Sequence, residues 1–268
     1  MSAATCVMCG TYSAVYLSLP HATVLRCTNQ SCELEFCATQ PAQQDLATSY
    51  HELYYPTEGT PAILGTPECV FRTFLDAIAR RFGPLQGQSF LDFGSGDGSL
   101  CRVASSYGMV PTGIDFDGNA RAMLRTVASC EAYADLAELR SRRPDAEFDC
   151  ITMWNVIEHL REPWKELAEL RSLLRRGARI FVTTPNARSL KSTLLKSRWD
   201  QRLNPTHFYY FHPKSLMRLL QRTGFDHIQP IPVPYAYPQH GIARRALHKA
   251  LAACNLQGEM IFCATTPG

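Results

Sequence analysis

The sequence has no stretch of roughly 18 uninterrupted apolar residues, the length a membrane-spanning helix requires. Its N-terminus lacks a basic region followed by an apolar core, so no secretory leader is read and a cytoplasmic protein is expected. Excess charge is small: 27 Lys and Arg against 24 Asp and Glu leave +3, too little for the whole chain to read as a nucleic-acid binder, although a local basic patch stays open. Internal repeats and low-complexity segments are also missing. Charged residues make up 19% and hydrophobic residues 46%, a balance that excludes extended disorder. The 268 residues suffice for an α/β domain of about 200 residues and a small appendage.

Cysteine is plentiful and unevenly spread. Of the eleven, Cys6, Cys9, Cys27, Cys32 and Cys37 crowd the N-terminus, and the others are scattered through apolar segments. In a reducing compartment this clustering points to metal before disulfide. Cys6 and Cys9 form a C-x2-C hook, and Cys27 and Cys32 form a second hook with two extra residues, 17 residues further on. Four such thiolates suit one tetrahedral, closed, structural Zn2+ tying together a segment too small to bury its own core. Reduced thiols in small strands are the alternative. Cys37 as a replacement for Cys32, and more remotely His21, stay open as ligands.

The composition divides the chain. Residues 1–50 read as a separate small zinc-ribbon-like module. Residues 51–66, bounded by the aromatic stretch Tyr50–Pro56 and broken by Gly59 and Pro61, read as a linker, and residues 67–268 as the main domain. Val70, Phe71, Phe74, Leu75 and Ile78 recur at helical spacing, as do Leu167, Leu170 and Leu174. Short apolar runs at Ser89–Phe93, Val110–Asp115, Phe148–Trp154 and Arg179–Thr184 alternate with such segments, which is the pattern of βαβ units and a parallel sheet. Near the end, Ser215–Arg222 reads as a helix, and Asp226–Pro232 and Met260–Thr265 as strands.

The run Phe90-Leu91-Asp92-Phe93-Gly94-Ser95-Gly96-Asp97-Gly98-Ser99 is a strand leading into a glycine loop and a helix. A dinucleotide loop needs G-x-G-x-x-G, and here the third glycine comes one residue early. Asp97 lies where a pyrophosphate would sit, and its carboxylate would repel one, so a cationic ligand fits better. Asp115, 21 residues after Gly94, occupies the position of an acid that holds two ribose hydroxyls. A nucleoside with a positive charge is S-adenosylmethionine.

Asp92-Phe93-Gly94-Ser95-Gly96-Asp97-Gly98 fills the D/E-x-G-x-G-x-G motif of the class I S-adenosylmethionine-dependent methyltransferases, and the chain resembles that family over roughly residues 67–268. Phe148 to Leu160 resembles the fourth strand of the small-molecule subgroup that includes the ubiquinone-pathway O-methyltransferases. The resemblance implies a Rossmann-like, doubly wound, mostly parallel seven-stranded sheet with its last strand antiparallel. It also implies a cofactor set of Asp92, Gly94, Ser95, Gly96, Gly98, Asp115 and Phe116. Trp154 and Asn155 would lie against the methionine and sulfonium, and Asp135 and the Leu136 amide would meet the adenine. Similar N-terminal cysteine modules precede methyltransferases acting on sugars or secondary metabolites, and also some ribosomal-RNA methyltransferases. RNA is the alternative acceptor. Against it stand the near-neutral charge and a first 50 residues with Arg26 as their one basic residue.

Methyl transfer to a hydroxyl or amine needs in-line positioning and removal of a proton. His207, in the long segment Pro185–Tyr210, is the expected base, and His159, after the fourth strand, is either a second base or a helix cap. Arg188, Lys191, Lys196, Arg198 and Arg202 lie among Leu190, Leu194 and Leu195, either as a solvated helix face or as a basic amphipathic lid for an anionic substrate or lipid surface. Arg244, Arg245, His248 and Lys249 mark a similar helix, expected to pack beside the sheet edge. The expected function is O-methylation of a small molecule. A protein that binds the cofactor without turnover is the reading from a different class.

Overall fold

Strands buried on both faces need apolar side chains on both sides, and short apolar runs of this kind build the main sheet. The computed structural model describes residues 4–40, 66–126, 128–231, 241–254 and 256–267. Residues 41–50 of the N-terminal module, the expected linker except residue 66, and the side chains of Arg244, Arg245 and His248 lie outside the described residues. The chain opens with four short strands, β1 (Ala4–Thr5), β2 (Tyr12–Ser18), β3 (Thr23–Cys27) and β4 (Glu35–Cys37). There follow α1 (Glu68–Phe82), β5 (Ser89–Phe93), α2 (Ser99–Ser106), β6 (Val110–Ile114), α3 (Gly118–Thr126), β7 (Glu131–Tyr133), α4 (Leu136–Arg142) and β8 (Phe148–Trp154). After a 3-10 turn at Ile157–His159 come α5 (Pro163–Ser172), β9 (Leu174–Pro185), α6 (Leu190–Leu195), α7 (Asp200–Leu203) and β10 (Tyr209–Tyr210). The last elements are α8 (Pro213–Arg222), β11 (Asp226–Pro230), α9 (Ile242–Ala253) and β12 (Glu259–Thr265).

The main sheet has seven strands in the order β11-β12-β9-β8-β5-β6-β7. The pairs from β9 to β7 are parallel, and β12 is antiparallel to both its neighbours, as the resemblance implied. Leu91, Ile151, Met153, Ile180 and Val182 point to one face, packed with Leu136, Leu167, Leu170, Leu216 and Leu219 of α4, α5 and α8. Phe90, Cys150, Trp154, Phe181 and Cys263 point to the other, packed with α1, α2 and Leu124 of α3. The helix expected to include Leu174 ends at Ser172. Leu174 pairs with Phe148 of β8 and opens β9, which therefore starts upstream of Arg179, where the antiparallel pairing with β12 begins.

The N-terminal module is not a separate body. Its strands form a second sheet, β1-β2-β3-β4-β10, closed by a strand from the main domain. Met8, Leu34 and Phe36 share one apolar core with Phe208, Phe211 and Leu216. A short cysteine-rich segment has too few apolar residues to form its own core, so it borrows that of its neighbour. Two further expectations are corrected. Arg202 is fully buried against Glu35 rather than on a basic face, and α9 leaves Ile242 and Leu247 exposed rather than packing them on the sheet edge.

Phe74 is fully buried and meets the rings of Trp154 and Phe181 edge-on at 5.2 and 5.4 Å. Phe74→Ala leaves a cavity between α1 and the sheet, and a urea unfolding curve is expected to show a loss of about 3–5 kcal/mol.

Candidate active site

The glycine loop joins β5 to α2 at the C-terminal edge of the sheet, where open α/β sheets hold their ligands. Gly94 has φ +77°, and a Cβ there would overlap Val156 Cγ2, so the loop and the turn after β8 press together only because this residue is bare. Gly98 caps α2 in the left-handed region, at φ 75°. A Cβ on Gly96 would meet nothing within 4 Å, which leaves room for a ligand to approach the backbone. Ser95 turns inward, its hydroxyl donating to Ile114 O at 3.1 Å. Asp92 is buried and accepts from Thr152 Oγ1 at 2.7 Å, and burial raises its carboxyl to about 7. Asp115 accepts from the Gly96 and Asp117 amides at 2.8 and 2.9 Å, so it pins the loop from the neighbouring strand. Burial raises its pKa above the ordinary range. Phe116 stands beside it, half exposed.

The expected residues farther along the edge divide between the loop and turn at the sheet's end and the packed core. Asn155 has φ +52°, its amide donates to Thr183 Oγ1 at 2.9 Å, and its side chain donates to Glu259 Oε1 at 2.7 Å. Trp154 departs from expectation: its indole packs edge-on against Phe71 and Phe74 at 5.1 and 5.2 Å, which places the ring in the core under α1. Asp135 caps α4, accepting from the Glu138 amide at 2.7 Å, while Glu138 returns a bond to the Ala134 amide at 2.7 Å. Leu136 is buried in the core.

His159 and His207 do come together, their rings edge to face with centroids 4.5 Å apart. His159 Nδ1 donates to Thr206 O at 3.0 Å, and His207 Nε2 accepts from Asn204 Nδ2 at 3.2 Å. Burial lowers the His159 pKa to about 4; burial and then the neighbouring His159 push His207 well below its ordinary value. Beside them lies Glu158, which the sequence did not single out. Its carboxylate and both imidazoles bring one atom each within 4.8 Å of one another. Glu158 is 1% exposed, neither carboxylate oxygen has a hydrogen-bond partner within bonding geometry, and burial raises its pKa to about 8. Glu259, also missed, adds a second, half-buried acid at this edge, its pKa raised by desolvation. The signal was there: an acid and a histidine adjoin inside the apolar run Val156–Leu160.

The four expected thiols converge. Cys6 and Cys32 sulfurs are 3.8 Å apart, those of Cys9 and Cys27 are 3.4 Å apart, and all four lie within 4.8 Å of one another. Tetrahedral thiolates at about 2.3 Å from zinc would stand about 3.8 Å apart, so the donor set fits that ion. Cys37 is not among them: its thiol donates to His207 O at 3.4 Å. His21 is also outside the group.

Residues 68–229 match a family described as "Methyltransferase domain". Curated relatives include the ubiquinone biosynthesis O-methyltransferase of Aeromonas salmonicida, 32% identical over 162 residues that cover 56% of this chain and 68% of the relative. That of Aromatoleum aromaticum is 29% identical over 173 residues, covering 60% of this chain and 73% of the relative. Among solved structures, a SAM-dependent methyltransferase from Archaeoglobus fulgidus superposes with a TM-score of 0.51 at 20% identity, covering 73% of this chain and 94% of the other. Magnesium protoporphyrin IX methyltransferase from Synechocystis, solved with bound SAH, gives 0.51 at 17% identity, with 83% and 94% covered. At such identities the structural likeness speaks for the fold.

The raised Glu158 pKa sets a pH dependence. Its folded-state value of about 8 lies above that of an unfolded Glu, so the contribution to stability is fully present below the unfolded value and lost as pH rises through about 8. Glu158→Gln is therefore expected to gain stability relative to the parent chain as pH rises from 5 to 8. Thermal or urea unfolding at several pH values measures that gap, and parallel curves would contradict it.

Proposed function

The chain belongs to the class I S-adenosylmethionine-dependent methyltransferases, and on that premise we propose that it methylates an oxygen of a hydroxylated small molecule, a sugar or secondary metabolite. One observation carries the reading: the glycine loop with Asp115, and the Glu158, His159 and His207 cluster, meet at one edge of the sheet through the Gly94 and Val156 contact. S-adenosylmethionine supplies, when bound, a methyl group on a sulfonium that a nucleophile takes by in-line attack. Asp115 would accept the ribose hydroxyls on lone pairs left by the Gly96 and Asp117 amides. Asn155, fixed by Thr183 and Glu259, would face the methionine end, and Asp135 with the Leu136 amide the adenine end.

The two imidazoles are neutral at physiological pH and so can accept the acceptor's proton. His207 takes it at Nε2 only if the Asn204 contact yields. Burial weakens both rings as bases, so the hydroxyl's proton has to leave as the methyl arrives, and Glu158 beside them would stabilise the imidazolium by giving up its own proton as that charge forms.

We infer structural Zn2+ at Cys6, Cys9, Cys27 and Cys32, from their convergence. RNA is disfavoured as acceptor because Arg26 is paired with Glu35 at 3.1 Å and the module is docked on its own chain. Leu194, Leu195 and Leu203 are exposed beside Lys196 and Arg198, which supports peripheral contact with an anionic lipid surface by a cytoplasmic protein. No described helix is long and apolar enough to cross a membrane.

Calorimetry is expected to detect S-adenosylhomocysteine binding, weakened by roughly 1–3 kcal/mol in Asp115→Ala through loss of charge-assisted hydrogen bonds. Binding of NAD in its place would overturn the cofactor assignment. Metal analysis of protein purified without added zinc should give about one Zn2+ per chain, and Cys9→Ser should release it. A metal-free chain with an ordered N-terminal sheet would contradict the zinc assignment.

A further inference from the structure

We propose that the N-terminal module is a positioning element of the acceptor site: β4, through Glu35 and Cys37, holds residues 204–208 and with them His159 and His207, and the four-cysteine metal site holds β4. The inference rests on the proposed zinc and on the imidazole pair as the proton-accepting end of the site.

The contacts form a continuous path. Cys27 and Cys32 frame the loop that leads into β4, and the Cys27 amide donates to Leu34 O at 2.9 Å. β4 pairs with β10 in the register Phe36 to Tyr209 and Glu35 to Tyr210. One residue beyond that register, the Cys37 amide donates to Phe208 O at 2.8 Å and its thiol to His207 O at 3.4 Å. The Phe208 amide then donates to Glu158 O at 2.8 Å, which joins the module to the turn after β8. From the same segment, Thr206 O orients His159 and Asn204 engages His207.

The other end of the segment is held by the same strand. Arg202, in α7 just before residue 204, donates to Glu35 Oε2 at 2.7 Å, and both side chains are at least 96% shielded from solvent. Arg202 also donates to Lys196 O at 3.0 Å. A buried ion pair that loses one partner leaves a charge stranded in the interior, so this contact strongly resists displacement. Residues 204–208 are thus held on both sides by two residues of β4, Glu35 and Cys37. Two-residue and three-residue strands have little stability by themselves, and a metal two to three residues upstream supplies the missing rigidity. A module that recognised substrate independently would not place its core residues in the core of the main domain, as Met8, Leu34 and Phe36 do.

The test uses the full-length chain, with S-adenosylhomocysteine as the binding probe and diethyl pyrocarbonate as the histidine probe, read at His159 and His207 by peptide mass spectrometry. Metal removal by a chelator under reducing conditions should raise the modification rate of His207 by about tenfold or more while S-adenosylhomocysteine affinity changes less than about threefold. Glu35→Gln should do the same while keeping its metal, and Cys37→Ala, a milder change, should act in the same direction. Unchanged histidine protection in both variants overturns the proposal. So does a parallel loss of S-adenosylhomocysteine affinity, which would mark the module as general support for the fold. If the purified chain holds no metal, the zinc assignment fails by itself, and the two variants still decide whether β4 positions the histidines.

Discussion

The contact between Val156 and the bare Cα of Gly94 is the constraint on which the site depends. It brings the loop after β5 against the turn after β8, closely enough that any side chain on Gly94 would overlap Val156. From that fixed point the chain has few choices. Asn155 is held in the left-handed region by Thr183 and Glu259, and the single 3-10 turn that follows aims Glu158 and His159 at the same edge. The glycine loop and the histidine-bearing turn, which arise on different strands, are thereby held side by side, as the proposed in-line transfer would require.

The electrostatics follow from burial. Glu158 is raised to about 8, Asp92 to about 7, and His159 is lowered to about 4. Desolvation disfavours the charged form in each case. A cationic ligand would draw the acids back towards ionisation and strengthen its own binding, whereas an anionic one would meet carboxylates at Asp92, Asp97 and Asp115. This asymmetry separates a sulfonium nucleoside from a dinucleotide more sharply than glycine spacing does.

Much of this was legible in the sequence, and the reasons are physical. The D/E-x-G-x-G-x-G loop, the strand runs Ser89–Phe93 and Phe148–Trp154 and the four-cysteine group depend on short-range spacing, which a sequence displays directly. Trp154 misled because a period-2 pattern gives a strand but not the face toward which a residue at its end turns; here α1 claims the indole. Arg202 misled because a basic residue among other basic residues reads as solvated until a distant partner is known, and Glu35 lies 167 residues away. The docking of the N-terminal module through β10 was hidden for the same reason: a two-residue strand has no periodicity to detect. Glu158 stood in plain view beside His159, but its burial and its closeness to His207 appear only in three dimensions.

On this reading one sheet edge would hold the cofactor between the glycine loop and the histidine-bearing turn. A crystal structure with S-adenosylhomocysteine bound tests it most directly. The ribose is expected on Asp115, the nucleoside along Gly94–Gly98, and the sulfur facing Asn155 on the side of His159 and His207. A ligand seated elsewhere, or one whose sulfur points away from the two histidines, would contradict it.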